Sequence, residues 1–508
     1  MADGLRYLVR RRAAQGARLM ALGAWAAAAA LSLAPGGGVC AAVARPAGSL
    51  PAAGARPGAP RSVRPEAAPA RVEFTRYAAA APILAAFRGS GLPGSGIATP
   101  SAWDRWIRAH DAEVRGRIAR GVEDSITNLI FYGTSFTRQP RLADWSVALD
   151  ARGRLTPLAA ARLRDFLAAV RALGPARGPR PLQAAGAGGR LAFAARFLAR
   201  ARPPAQWPAY LEANLRRFVA EQTAYQRRLA AAQASGNRQD IVLARSFLFE
   251  HRGLSVDTSL MPNFALTDTL RVLLAKGVLH AGQIHRIAVI GPGLDFADKR
   301  EGYDFYPEQT LQPFVLLDGV AGLGLGRAPD LALATLDINP QINAHVAGLA
   351  ARAAAGRPYV LQLPLADDVP WTPAALAYWR SAGDHIGHPA PPLAPPPQVR
   401  HVKVRAVAFA PAWEARVRPV NLDIVAQTMP GAGFDLIVAT NILVYYDPLE
   451  QALALANITA MLAPGGIFMA NDVLPAVHPP DLEFLGRRGL PYTTDHSFGD
   501  SVVVYRRR

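Results

Sequence analysis

The sequence predicts an α/β protein: a doubly wound, mostly parallel sheet closed by a C-terminal β-hairpin and preceded by a mainly helical domain. Three observations predict it. First, Phe434–Ala439 is a buried-strand run ending in polar Thr440-Asn441; a helical stretch, the turn Pro464-Gly465-Gly466 and a second buried run, Ile467–Ala470, follow it. Strand, helix, turn, strand is how parallel strands with crossover helices are written. Second, Arg286–Gly291 and Leu331–Asp337 are β-rich apolar runs, one ending in glycine and the other in an acid. Third, from Glu73 to Leu279 the apolar residues recur at three-to-four spacing with Arg and Glu between them, as on amphipathic helices.

The elements follow in order. Arg6–Arg18 form a basic leader, Leu19–Ala34 an uncharged apolar run, and Ala42-Val43-Ala44 a small-residue exit, so residues 1–44 read as a signal peptide or membrane anchor. Residues 45–72 are Pro, Ala, Gly and Arg with almost no large apolar side chain; they read as a disordered linker. Residues 73–280 are the helical domain, with helices expected over Ile107–Ile130 and Trp207–Phe249 and a Gly/Pro loop at Gly174–Gly189. Residues 281–508 are the α/β domain. Tyr359–Leu365 is expected as its third strand, and a small β insertion is expected at about 370–410, with a Pro-rich surface loop at Ala390–Pro397 and an added strand at Val402–Phe409. Pro491–Ser497 and Ser501–Tyr505 are expected to flank a hairpin turn at Phe498-Gly499-Asp500.

Composition narrows the function. The formal charge of +18 looks like a polyanion signal, but residues 1–72 alone hold ten Arg against Asp3 and Glu66, and no Lys/Arg run is interleaved with aromatics. No specific nucleic-acid partner is expected; membrane association would run through residues 19–34. Cys40 is the only cysteine and lies within the leader, which excludes disulfides, thiolate metal sites and cysteine nucleophiles from a processed chain. His280 with His285, and His385 with His388, lack carboxylates at zinc spacing, so no metal site is expected. No serine-hydrolase elbow or P-loop is present.

In a doubly wound sheet, ligands bind beyond the carboxyl ends of the strands. Gly291-Pro292-Gly293 there would let a nucleotide-type cofactor approach the backbone. Asp337 is placed to accept hydrogen bonds from both ribose hydroxyls. The same spacing serves NAD, and Asp337 equally suits a cap on the helix that begins near Asn339-Pro340.

These residues together resemble the class I S-adenosylmethionine (SAM) methyltransferases, and within them the CheR-type glutamate methyltransferases of chemotaxis, over about Asp124 to Arg508 with gaps. The resemblance implies a Rossmann-like methyltransferase sheet, SAM as cofactor, and methyl transfer to a carboxylate or hydroxyl on a protein or small molecule. Asn421-Leu422 stand where the family has a pair near the adenine. Thr440–Asp447 resemble the family's Arg-Asn-Val-Leu-Ile-Tyr-Phe-Asp segment, which makes Asn441 and Ile442 cofactor contacts and sets Tyr445 beside the transferred methyl group. Thr134-Ser-Phe-Thr-Arg138 resembles a Thr-x-Phe-Phe-Arg motif whose Thr and Arg reach the cofactor from the helical domain. Arg138 would orient the cofactor carboxylate or the acceptor. Glu308, with Glu301 as competitor, stands for the family's cofactor-binding glutamate, because the first glycine loop is longer here and carries Asp295 in place of a further glycine.

Two other functions compete. A non-catalytic binding or scaffold module of the same fold would suit the altered first loop and an exported chain, since SAM is made in the cytoplasm; a start codon further downstream would leave a cytoplasmic enzyme. An NAD-binding oxidoreductase is the third reading.

Overall fold

The structure is a computed structural model that describes residues 71–173, 188–235, 258–295, 304–327, 330–471, 474 and 477–508. The leader at 1–44, all but the last two residues of the 45–72 linker, most of the 174–189 loop and Glu301 lie outside the described residues.

The strands are β1 (Glu73–Phe74), β2 (Arg286–Ile290), β3 (Ala332–Asp337), β4 (Tyr359–Ala366), β5 (Gly387–Ala390) and β6 (Val402–Phe409). They continue as β7 (Val417–Asn421), β8 (Gln427–Thr428), β9 (Phe434–Ala439), β10 (Leu462–Ala470), β11 (Leu482–Pro491) and β12 (Gly499–Arg507). The helices used below are α1 (Tyr77–Ala86), α2 (Pro100–Gly116), α3 (Ile118–Tyr132), α4 (Pro157–Ala172), α5 (Gly188–Ala201) and α6 (Trp207–Ser235). After them come α7 (Met261–Ala275), α8 (Gln312–Gly322), α9 (Pro340–Ala354), α10 (Pro373–Ser381), α11 (Pro411–Glu414) and α12 (Pro448–Met461).

Seven strands form the central sheet in the order β11-β12-β10-β9-β2-β3-β7. The run from β7 to β10 is parallel, and β12 lies antiparallel to both of its neighbours. From β2 the chain builds outward through β3 to β7; it then returns to the other side of β2 with β9 and β10. The carboxyl ends of β2 and β9 therefore flank the topological switch point.

Alternation along the strands assigns the two faces. Ile287, Val289, Leu436, Val438, Ile467 and Met469 pack with α7 and α8. Ala288, Ile290, Ile437, Ala439, Phe468 and Ala470 pack with α1, α2 and α12. A third core, drawn mainly from α3 to α6, belongs to the helical region and takes in only Leu294 and Ile342 from the rest. Residues 73–280 are thus not one separate domain. Their first two helices and their last one are layers of the α/β unit, and β1 pairs with β8. Among the described residues no helix is long and apolar enough to cross a membrane.

Three expected elements are placed differently. Tyr359–Leu365 is not a strand of the central sheet: β4 pairs with β6 in a separate antiparallel sheet of order β4-β6-β5. The third parallel strand is β7, whose Arg418 and Pro419 disguise it; proline is tolerated because β7 is an edge. The hairpin strands are β11 and β12, with 492–498 as the connection, because the half-buried alternation of Leu482–Pro491 is broken by Gly486 and Gly489. The helix expected over Ile107–Ile130 is two helices, α2 and α3, divided after Gly116.

Candidate functional site at the carboxyl ends of the strands

Gly291 ends β2 at φ +61, and its N–H donates to the Leu336 carbonyl at the end of β3 (2.9 Å). A Cβ at this position would stand 2.1 Å from Ile442 Cδ1 and 2.8 Å from its Cγ1. The glycine is required twice, by backbone conformation and by the isoleucine seated on it. Gly293 also has positive φ, +64. Gly291 and Ile442, 151 positions apart in the chain, are thus brought into contact across the switch point.

Asp337 lies directly opposite Asn421 in the β3–β7 register. Its carboxylate accepts the Asn339 N–H (2.7 Å), while Asn339 itself caps α9 by accepting from Gln341 N (2.9 Å). Burial pushes the Asp337 carboxyl up to about 7; the backbone N–H groups of Asn339 and Ile338 pull the other way and do not offset it. The main-chain carbonyl of Asp337 accepts from Leu422 N (3.2 Å) and Asn343 Nδ2 (2.8 Å), which fastens the ends of β3 and β7 together. Leu422 is buried, whereas Asn421 is exposed and is met from α2: Arg115 Nη1 donates to its Oδ1 at 2.7 Å. Arg115 is held in turn by Asp111 (2.9 Å) and Gln427 (3.3 Å).

Asn441 sits at φ +56, which asparagine tolerates better than most residues. Its N–H donates to Asn471 Oδ1 (2.7 Å), and its Oδ1 accepts from Asn471 Nδ2 (3.1 Å). Asn471 Nδ2 also donates to Asp500 Oδ1 (3.3 Å), and Tyr492 Oη donates to Asp500 Oδ2 (2.6 Å). Ile442 opens a single 3-10 turn, Leu443–Tyr445, that delivers Tyr445, half-buried, and Tyr446, buried. Asp447 and Glu450 then form a capping box at the start of α12.

Thr134, expected from the helical region, is tied to the loop before α8. Thr134 and Ser135 each donate through both N–H and hydroxyl to Asp304, at 2.6–3.0 Å. Gly133 leaves room for this, since a Cβ there would come within 2.8 Å of Asp304 Oδ2. The fully buried Arg162 fixes the same loop through the carbonyls of Ile130, Gly133, Gln139 and Pro140. Arg138 is exposed, and among the described residues no hydrogen bond or ion pair holds it. Glu308 pairs with Arg196 of α5 at 3.5 Å, and burial lifts its carboxyl to about 7. Asp295, the departure from the expected glycine, accepts from Tyr306 and Gln309 and pairs with the buried Arg190.

Sequence reasoning missed Asn471, Asp500, Gln312 and Arg115. Asn471 carried the same signal as Asn441, a polar residue directly after a buried strand; Arg115 carried none. Gln312 Nε2 donates to Thr440 Oγ1 (2.9 Å), which joins the start of α8 to the end of β9.

Several buried polar atoms have no partner among the described residues: Gln312 Oε1 at the start of α8, Gln341 Oε1 and Asn343 Oδ1 on the first turn of α9, and Glu308 Oε2 and Thr310 Oγ1 shortly before α8. The three amide oxygens are acceptors only, whereas the threonine hydroxyl and the Glu308 carboxyl, lifted to about 7, can also donate. With Asp337 they suit a ligand that brings hydroxyl or ammonium donors and positive charge. They do not suit a pyrophosphate, which needs N–H donors at a helix start; α8 begins only at Gln312, well after Gly291. Among the described residues no group of three or more His, Cys, Asp or Glu could hold a metal ion.

No protein-family model matches the chain, and no curated protein matches it. Solved structures that resemble it include the N-methyltransferase NodS of Bradyrhizobium japonicum with S-adenosylhomocysteine, at 14% identity over 49% of this chain and 88% of that one, TM-score 0.22. Another is a TehB-like SAM-dependent methyltransferase of Corynebacterium glutamicum, at 12% identity over 55% of this chain and 99% of that one, TM-score 0.23. A third is described as a possible exported protein of Bordetella parapertussis, at 11% identity over 48% of this chain and 67% of that one, TM-score 0.23. Likeness this weak carries no activity over to the present chain.

Proposed function

We propose that this chain is a SAM-dependent methyltransferase whose acceptor is a carboxylate or hydroxyl. The observation that carries the reading is the convergence of Gly291, Asp337, Asn421-Leu422 and Asn441-Ile442 on the carboxyl ends of four adjacent parallel strands. Asp337 would take the ribose hydroxyls, Asn421 and Leu422 the adenine, and the backbone at Gly291 and Gly293 would leave room for the cofactor chain. Asn441 and Ile442 would face the methionine part, and Tyr445 would wall the transfer pocket. When bound, the cofactor supplies an electrophilic methyl group on a sulfonium. A carboxylate acceptor is already ionised at neutral pH, so the protein has to align the two and exclude water rather than move a proton.

A second reading is favoured by one observation. Thr134 bonds to Asp304 and Arg138 is exposed, which supports a reading in which the strand-end residues alone make the site. A binding module of the same fold would need only the strand-end residues. It also accommodates export through residues 1–44, whereas a cytoplasmic start goes with the enzyme; reporter fusions to residues 1–60 separate the two. NAD is disfavoured by the acceptor-rich lining.

Calorimetric titration of the full chain with S-adenosylhomocysteine and with NAD, beside Asp337→Ala, tests the proposal. Micromolar binding of S-adenosylhomocysteine that Asp337→Ala abolishes supports it; NAD binding alone, or none from a folded chain, removes it. Binding without turnover across carboxylate and hydroxyl acceptors selects the module.

A further inference from the structure

We propose that Asn471 and Asp500 are positioning residues that fix the polarity of the Asn441 side chain, so that Asn441 meets its ligand as a hydrogen-bond donor. This rests on the strand-end site being a SAM site.

The argument follows the hydrogen bonds outward from the core. Tyr492 is fully buried, and its hydroxyl donates to Asp500 Oδ2 (2.6 Å). The other oxygen, Asp500 Oδ1, can only accept, so the group facing it must be the amide nitrogen of Asn471 (3.3 Å). That settles which way the Asn471 amide is turned: its oxygen faces the Asn441 N–H (2.7 Å) and its nitrogen also reaches Asn441 Oδ1 (3.1 Å). Asn441 Oδ1 is therefore engaged, and the two protons of Asn441 Nδ2, which has no partner among the described residues, remain for a ligand acceptor. The chain runs from a carboxylate on β12, through the residue after β10, to the residue after β9, so three adjacent strand ends fix one amide. Burial pushes the Asp500 carboxyl up to about 6, still ionised at neutral pH.

A polarity swap separates positioning from simple support. Asn471→Asp sets two carboxylates against each other and is expected to lower the melting temperature and weaken S-adenosylhomocysteine binding. Adding Asp500→Asn removes the repulsion: the residue-500 amide donates to the new carboxylate, which still accepts the Asn441 N–H. The Asn441 amide must then turn over and present its oxygen. The double variant is expected to recover the wild-type melting temperature while its calorimetric Kd for S-adenosylhomocysteine stays about tenfold or more weaker, a donor having been replaced by an acceptor. Asn441→Asp, which keeps the bond from Asn471 and removes the outward donor, is expected to show the same loss and stands in if the double variant does not fold. Recovery of both stability and wild-type Kd in the double variant, or a wild-type Kd for Asn441→Asp, would overturn the positioning role. A folded wild type that does not bind at all would instead overturn the SAM reading on which it rests.

Discussion

Replacing Gly291 with alanine tests whether the switch point is packed as described. The position has φ +61, which costs a non-glycine residue about 1 kcal/mol. The new Cβ would also meet Ile442 Cδ1 at 2.1 Å and Cγ1 at 2.8 Å, and forcing an extra carbon into such a space adds about 2 kcal/mol. Gly291→Ala should therefore destabilise the chain by about 3 kcal/mol. The second part belongs to the pair. Ile442 Cβ would be 4.0 Å from the new carbon, so Ile442→Ala leaves only ordinary contact. In a double-mutant cycle by urea denaturation, the Gly291→Ala/Ile442→Ala chain should be more stable than additivity predicts, by about 2 kcal/mol. Ile442→Val should relieve only part of the clash. Additivity to within about 0.5 kcal/mol would refute the contact.

Asp337, with its carboxyl lifted by burial from the ordinary carboxylate range to about 7, favours the folded state most below about pH 4; that contribution is lost as pH rises through 7. Asp337→Asn should therefore be more stable than wild type by a margin that grows between pH 4 and pH 7, to a limit of about 4 kcal/mol, as read from urea denaturation across that range. Asp304→Ala strips the acceptor from four donors on Thr134 and Ser135 and should cost about 3 kcal/mol or more, read the same way. Arg115→Ala breaks only partly exposed contacts and should change stability by less than about 1 kcal/mol; a larger loss would mean that α2 is held to the strand ends mainly by this arginine.

What could be read from the sequence follows from where the information sits. Gly291, Asp337 and Asn441 were visible because each follows or ends a buried strand run, and a polar or glycine residue breaking off such a run is a local signal; Asn421 was marked only by the family resemblance. The parallel sheet and the C-terminal hairpin were legible for the same reason. Strand β7 was not, because an edge strand can carry arginine and proline without penalty, and the apolar Tyr359–Leu365 run stood out in its place. The fate of Thr134 was invisible: its partner Asp304 lies 170 residues away, and nothing in either neighbourhood marks the pairing. The helical region misled in another way. Amphipathic spacing shows that a helix has an apolar face but not what that face covers, so α1, α2 and α7 were grouped with α3–α6 although they pack on the sheet.

That grouping matters at the bench. A clone begun at residue 281 would synthesise every strand of the central sheet yet arrive without α1, α2 and α7. The core on the side of Ala288, Ile290, Ile437 and Ala439 would lose Ala80, Ile83, Leu84, Trp103, Ile107 and Val114, and the core on the side of Ile287, Val289 and Leu436 would lose the apolar face of α7. Such a fragment should collect in inclusion bodies. The stretch that carries its own core, α3 to α6, falls in chain order between helices that cover opposite faces of the sheet, and that is where a surgeon of this chain would have to cut.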